Sequence, residues 1–146
     1  MGEAAQSGST AATVLAFDFG TRRIGVAVGT TIARSARPLT TIDAPEGDAR
    51  NAALARVIDE WQPDLLVVGL PVHADGTPHA TTERARRFGE DLRQRFAIAV
   101  AYADERYTSE LARTALAGRG RAGRQMRDEA AAQIILQGWL DDNAAA

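Results

Sequence analysis

Four acidic residues stand where an acid is awkward: Asp18, Asp104, Glu105 and Asp128. Asp18 closes the apolar run Val14-Leu15-Ala16-Phe17, and Phe19-Gly20-Thr21-Arg22-Arg23 leads from it into a second apolar run, Ile24 to Val28. A carboxylate at the end of a buried strand is costly unless something pairs with it, and a metal ion or a phosphate-bearing site is a common reason to keep one there. Asp104 and Glu105 follow the apolar segment Ile98 to Ala103. Asp128 opens the last helical segment, and its neighbours three, four, seven and eleven residues on are Ala131, Ala132, Ile135 and Trp139. That spacing puts its side chain on the buried stripe, facing the sheet. If three such acids meet, cations must offset their repulsion. Two divalent ions about 3.5–4 Å apart, bridged by carboxylates, make the clamp for in-line displacement at phosphorus. The chemistry is phosphodiester hydrolysis, with Asp18 as bridging ligand, Glu105 as the second and Asp128 as the third; Asp104 substitutes if Glu105 turns to a salt bridge.

Each acid also has a plainer job: an N-cap for Asp128, an Asx-turn for Asp18, an exposed ion pair for Asp104-Glu105-Arg106. Their joint occurrence at three converging element ends favours the metal site. Around it, Thr21, Arg22 and Arg23 in the turn and Arg106 beside the second acid hold flanking phosphates, because guanidinium pairs bidentately with phosphate oxygens. These contacts position a strand and read no sequence. His73 and His79 lie in a loop with Pro and Gly, where a solvated histidine is the default.

The composition narrows the metal. There is no cysteine, hence no disulfide framework and no thiolate zinc site. Carboxylates are left for hard cations, magnesium or manganese. A net charge of −2 gives no global attraction to nucleic acid. Yet residues 106 to 127 hold six arginines against the single acid Glu110, a local patch suited to phosphates. All 17 basic residues are arginine, which reads as codon bias. Residues 1–12 are small and polar and read as a disordered tail ahead of one domain over 13–142. No window approaches the roughly 18 apolar residues of a membrane span, so the expectation is a soluble, cytoplasmic protein.

Positioning falls to a mixed α/β order. Val14 to Phe19 and Ile24 to Val28, split by a four-residue polar turn, predict an antiparallel hairpin, and Arg37 to Ile42 a third strand. Asp48 to Trp61 predicts a helix with Ala49, Ala52, Ala53, Val57 and Trp61 on its apolar side. Strands follow at Asp64 to Gly69 and Ile98 to Ala103, with a charged amphipathic helix over Thr81 to Phe96 between them. Two helices close the chain, Ser109 to Ala117 and Asp128 to Leu140, joined by an arginine and glycine loop at Gly118 to Gly123. The implied architecture is a five-stranded mixed sheet flanked by helices, with ligands at the carboxyl ends of its strands.

From Val14 to Asp141 the motifs resemble the YqgF family, also called RuvX-type Holliday junction resolvases or pre-16S rRNA nucleases, of RNase H-like fold. The opening Asp18-Phe19-Gly20-Thr21-Arg22-Arg23-Ile24-Gly25 and the central Val68-Gly69-Leu70-Pro71 with Asp75-Gly76-Thr77 carry the resemblance. So do Glu83-Arg84-Ala85-Arg86-Arg87-Phe88, Asp104-Glu105-Arg106-Tyr107-Thr108-Ser109 and Asp128-Glu129-Ala130-Ala131-Ala132. The resemblance implies a cytoplasmic, metal-dependent nuclease that trims the 5′ end of pre-16S rRNA in ribosome biogenesis, with branched DNA as the competing substrate. Two positions depart from the pattern: Tyr107 stands where leucine or tryptophan is common, and Thr30 where aspartate is frequent.

Other readings compete. Sugar kinases and actin-like ATPases share the Asp-x-Gly-Thr turn, but they close two lobes over a nucleotide and this chain is long enough for one. No Walker segment is present. A non-catalytic RNA-binding module of the same fold would use the acids as caps and the arginines for binding. Whether the protein is a monomer or a homodimer is left open by the residues.

Overall fold

The computed structural model describes residues 12–71, 80–104 and 120–143. Five strands and three helices are present there: β1 (Thr13–Asp18), β2 (Arg23–Thr30), β3 (Ser35–Asp43), α1 (Asp48–Trp61), β4 (Leu65–Leu70), α2 (Thr82–Phe96), β5 (Ala99–Asp104) and α3 (Gly120–Asn143). The expected helix over 109–117, the loop with His73 and His79, Glu105, Arg106 and residues 1–11 of the expected tail lie outside the described residues. Ala12, assigned to that tail, is already tied down, its N–H donating to Thr31 Oγ1 at 3.0 Å.

The strands form one mixed sheet in the order β3-β2-β1-β4-β5. β1, β2 and β3 are a meander, and β4 and β5 join parallel to β1 through the crossover helices α1 and α2. Antiparallel neighbours need only a tight turn, whereas parallel ones need a crossover, so the change from hairpins to helices along the chain dictates the mixture.

The two faces of the sheet differ in bulk. Leu15, Phe17, Ile24, Val26, Val28, Leu66 and Val68 pack against Leu54 and Ile58 of α1 and Ala85 and Leu92 of α2. The opposite face presents Val14, Ala16, Ala27 and Val67, with Ala101 and Ala103, to Ala132, Ile135, Leu136 and Leu140 of α3. Burying each large aliphatic side chain contributes about 1.5–3 kcal/mol, so the first face supplies most of the apolar stabilisation. The second face allows close approach. A Cβ on Gly25 would stand 1.9 Å from the Asp128 carbonyl oxygen, and one on Gly29 would stand 3.3 Å from a Leu136 methyl.

Two expectations are corrected. α3 begins at Gly120, not at Asp128; the expected loop through Gly123 is helical from 120 onward, and Asp128 sits inside the helix, which rules out the N-cap. Glycine and arginine at 118–124 read as a breaker, but the helix extends two turns ahead of its apolar stretch. In α1 the buried residues are Arg50, Leu54 and Ile58, a stripe rotated from the one drawn through the alanines; Ala49 and Ala52 are exposed. Alanine is small enough to lie on either side, so bulky Leu54 and Ile58 decide the rotation.

The two glycines of opposite setting give a paired test. Gly25→Ala forces α3 off the sheet and is expected to destabilise by about 3 kcal/mol or more, at the upper end of overpacking costs. Gly138 lies in α3 with open space where a Cβ would be, so Gly138→Ala is expected to stabilise by about 0.5–1 kcal/mol. Urea denaturation of both variants measures the difference.

Candidate active site

Asp18 is the last residue of β1, and in the antiparallel register it stands opposite Gly25. Opposed residues share a face of the sheet, so Asp18 lies on the same side as Val14 and Ala16, the side that α3 covers. Gly25 in turn abuts the backbone of Asp128 and Glu129. One missing side chain therefore brings the end of β1 and the middle of α3 together.

The height of α3 along the sheet is fixed by polar contacts to β3. Gln133 Nε2 donates to Ala36 O at 3.0 Å, Gln137 Oε1 accepts from Ala36 N at 3.0 Å, and Gln137 Nε2 donates to Arg34 O at 2.9 Å. Thr41 Oγ1 donates to Glu129 Oε2 at 3.2 Å. Glu129, Gln133 and Gln137 are four residues apart and share one helical stripe. A sheet edge that α3 would otherwise bury thus has its backbone groups satisfied.

Asp128 is ion-paired across the site: Arg23 Nε donates to its Oδ2 at 2.7 Å, with the two side chains 25% and 21% exposed. The short length marks a charge-assisted hydrogen bond. Of the turn residues assigned to phosphates, Thr21 and Arg22 are exposed and Arg23 is half-buried. Arg23 therefore acts first on an acid of the site, which its expected role did not include.

The third acid is only partly accounted for. β4 carries the register from β1 to β5: Phe17 pairs with Val68, Gly69 with Ala103, and Leu70 with Asp104. Asp104 ends β5 at the same carboxyl edge as Asp18, two strands away. Glu105 and Arg106 lie outside the described residues. Among the described residues, no group of three acids or histidines is gathered closely enough to hold a metal ion. The backbones of Asp18 and Asp128 are near neighbours through Gly25, and carboxylates are hard oxygen donors of the kind that suit magnesium or manganese.

Arg50 belongs to this end of the molecule and was not singled out from the sequence. It is 3% exposed, and its Nε and Nη2 donate to Ala44 O at 2.7 Å and Gly20 O at 2.9 Å. Its guanidinium lies 5.7 Å from the centre of the Phe19 ring. Burial pulls its pKa below the usual arginine value, and Glu46 partly opposes the shift. Arg50 thus ties the β1–β2 turn, with Thr21 and Arg22, to the start of α1. The signal was present: an arginine four and eight residues ahead of Leu54 and Ile58.

The sequence pattern of the family described as "RuvX: Holliday junction resolvase" matches residues 12–142. A protein of Dechloromonas aromatica (strain RCB) named "Putative pre-16S rRNA nuclease" is 53% identical over 132 residues, 88% of this chain and 90% of that one. One of the same name from Nitrosomonas europaea is 52% identical over 141 residues, 94% of this chain and 95% of its own. Among solved structures, fowlpox virus resolvase with Holliday junction DNA superposes with a TM-score of 0.58 at 8% identity, covering 89% of this chain and 97% of that one. Thermus thermophilus RuvC with its junction substrate gives 0.53 at 14% identity, covering 90% and 94%. At such identities the likeness establishes the fold alone, the RNase H-like arrangement expected from the sequence.

Removing the Arg50 guanidinium while keeping its stem tests the turn's anchor. Arg50→Met is expected to cost about 2 kcal/mol, the scale of hydrogen bonds from a charged donor. Hydrogen exchange is expected to quicken at the amides of residues 20–23 and little elsewhere.

Proposed function

This chain belongs to the RuvX family, and from that premise we propose that it is a divalent-metal-dependent nuclease that processes the 5′ end of pre-16S rRNA in the cytoplasm. The observation that supports the reading is that Asp18 stands opposite Gly25 in the sheet and Gly25 abuts the backbone of Asp128. Acids carried from distant parts of the sequence to neighbouring backbone positions at one strand end are an arrangement suited to sharing a cation. Among the described residues no helix is long and apolar enough to cross a membrane.

Asp18 and Asp128 would hold magnesium or manganese, with Glu105 as the third ligand and Asp104 its substitute. A divalent metal held there would supply activation of the attacking water and charge stabilisation at the leaving oxygen. The chain's own residues do the rest. Arg23 holds one carboxylate oxygen of Asp128 and so fixes the rotation of that side chain. Exposed Arg22 and Thr21, on a turn anchored by Arg50, meet the phosphates beside the scissile one, and Arg106, next to Glu105 in the sequence, is assigned the same task. Fixed donors of this kind act by positioning, which accounts for most catalysis at phosphorus.

The relatives at about half identity, named for pre-16S rRNA, support the RNA substrate. The family's description favours a second reading, cleavage of four-way DNA junctions. The phosphodiester chemistry is the same, so only a comparison of substrates separates them. A third reading, a non-catalytic nucleic-acid-binding module, leaves the acids without a metal.

Purified protein is incubated with a pre-16S leader RNA and with a four-way junction. Cleavage of the leader, dependent on magnesium or manganese, is the expected result. Chelator and Asp18→Asn are each expected to reduce turnover by at least about a hundredfold, the upper range for losses around a metal site. Millimolar metal is expected to raise the melting temperature of the native chain, by binding the folded state, and not that of Asp18→Asn. Cleavage that survives chelator and substitution overturns the mechanism.

A further inference from the structure

A groove of about 960 Å³ opens on the side of the sheet away from α3, between the β1–β2 turn, the first turns of α1 and one side of α2. Phe19, Phe88, Arg50, Arg84, Arg87 and Arg95 are among the residues that line it. Phe88 packs on Phe19 with ring centres 5.0 Å apart. The first two turns of α2, which carry Arg84 and Arg87, therefore stand beside the turn that carries Thr21, itself a lining residue. At the other end of α2, Arg95 Nη1 donates to Asn51 Oδ1 at 3.2 Å and ties the helix to α1.

The acids of the groove are already matched. Asp91 pairs with Arg95 at 3.3 Å. Glu90 accepts from the Tyr102 hydroxyl at 2.7 Å and pairs with Arg93 at 2.9 Å. Glu46 faces the charge of Arg50. Arg84 and Arg87 are not matched in this way. Arg87 Nε stands 4.0 Å from Glu83 Oε2, with both side chains more than two-thirds exposed, a contact worth little. Among the described residues Arg84 has no ion-pair or hydrogen-bond partner. Two arginines one helical turn apart thus face outward beside two aromatic rings, in a chain whose net charge is −2.

We propose that this groove binds the single-stranded nucleic acid flanking the scissile phosphate, with Arg84 and Arg87 on its backbone and the Phe19–Phe88 edge against a base. The proposal rests on the nuclease reading above and adds to it a strand path and a preference for unpaired flanks. A groove of this volume between two helices packed on one sheet suits a single strand better than a duplex. Cationic walls beside aromatic rings are the arrangement that holds single strands without reading sequence. Continuity with Thr21 and Arg22 leads that strand from the groove over the carboxyl edge of β1, where Asp18 ends.

The test measures binding of a fluorescein-labelled single-stranded RNA, and of a blunt duplex of the same sequence, by anisotropy in chelator over a range of salt. The native chain is compared with Arg84→Gln/Arg87→Gln and with Arg34→Gln/Arg56→Gln. The second pair removes the same charge from exposed residues that neither line the groove nor pair with its acids. The groove pair is expected to lower single-strand affinity about tenfold and to reduce the slope of log affinity against log salt by about 1.4, or about 0.7 for each phosphate no longer neutralised. The control pair and the duplex are expected to move little.

Melting curves and sedimentation velocity accompany each variant. Equal losses in both pairs, an unchanged slope in a folded groove variant, or an altered oligomeric state in place of altered affinity overturns the proposal. If the groove pair does not fold, Arg84→Lys/Arg87→Lys, which keeps the charge, must retain the native slope for the proposal to stand. A native chain that cleaves the leader RNA but leaves single strands unbound overturns the groove alone. A native chain that neither binds nor cleaves any nucleic acid overturns the nuclease reading itself.

Discussion

The close seating of α3 on a sheet face of glycine, alanine and valine is the constraint on which the site depends. Helices pack with axes 8–10 Å apart when ordinary side chains lie between them, and the α1 and α2 side of this sheet is filled with leucine, valine, isoleucine and phenylalanine. The α3 side is not. At Gly25 nothing but backbone separates strand from helix, so Asp128 comes down beside the strand that pairs with Asp18. The geometry is gained at a cost, since a face of small residues buries less apolar area and contributes less to stability. The glutamine contacts from α3 to β3 recover part of that loss and stop the helix from sliding along the strand.

Much of this was legible in the residues. The hairpin, the crossover helices and the position of Asp18 at a strand end followed from runs of β-branched residues, helical spacing and turn chemistry, because these are local properties. The direction of Asp128 toward the sheet followed from Ala131, Ala132 and Ile135 on its stripe, all buried in the structure. The start of α3 did not follow, because glycine at 120 and 123 lowers helix propensity without forbidding a helix. The rotation of α1 was misread for a related reason: alanines satisfy two stripes at once, and Arg50 looked like a surface residue. Gly25 looked like one more residue of a strand, although its lack of a side chain lets the backbone of Asp128 come against the strand opposite Asp18. Pairings between distant segments, such as Arg23 with Asp128, depend on how elements stack and leave no trace in local spacing.

An absence of lysine gives the arginines unusually varied duties. Arg23 faces an acid, Arg50 is buried against backbone carbonyls and an aromatic ring, Arg37 lies 5.2 Å from the centre of the Trp61 ring, and Arg84 and Arg87 face outward. A planar, weakly hydrated guanidinium tolerates burial and stacking better than an ammonium does, so one residue type serves anchor, partner and ligand. Thr30 shows the same economy at the other end of β2. It stands where the family often has aspartate, and its hydroxyl accepts from Ala33 N at 3.1 Å while its carbonyl accepts from Arg34 N at 2.9 Å. A turn can be closed by either residue type.

The central claim is that Asp18 and Asp128 share a cation. Crystals of the protein soaked in manganese and measured by anomalous diffraction test it most directly. An anomalous peak is expected at coordination distance, roughly 2.2 Å for a hard divalent ion, from carboxylate oxygens of both residues. A peak that touches only one of them, or none at this strand end at millimolar manganese, would contradict it.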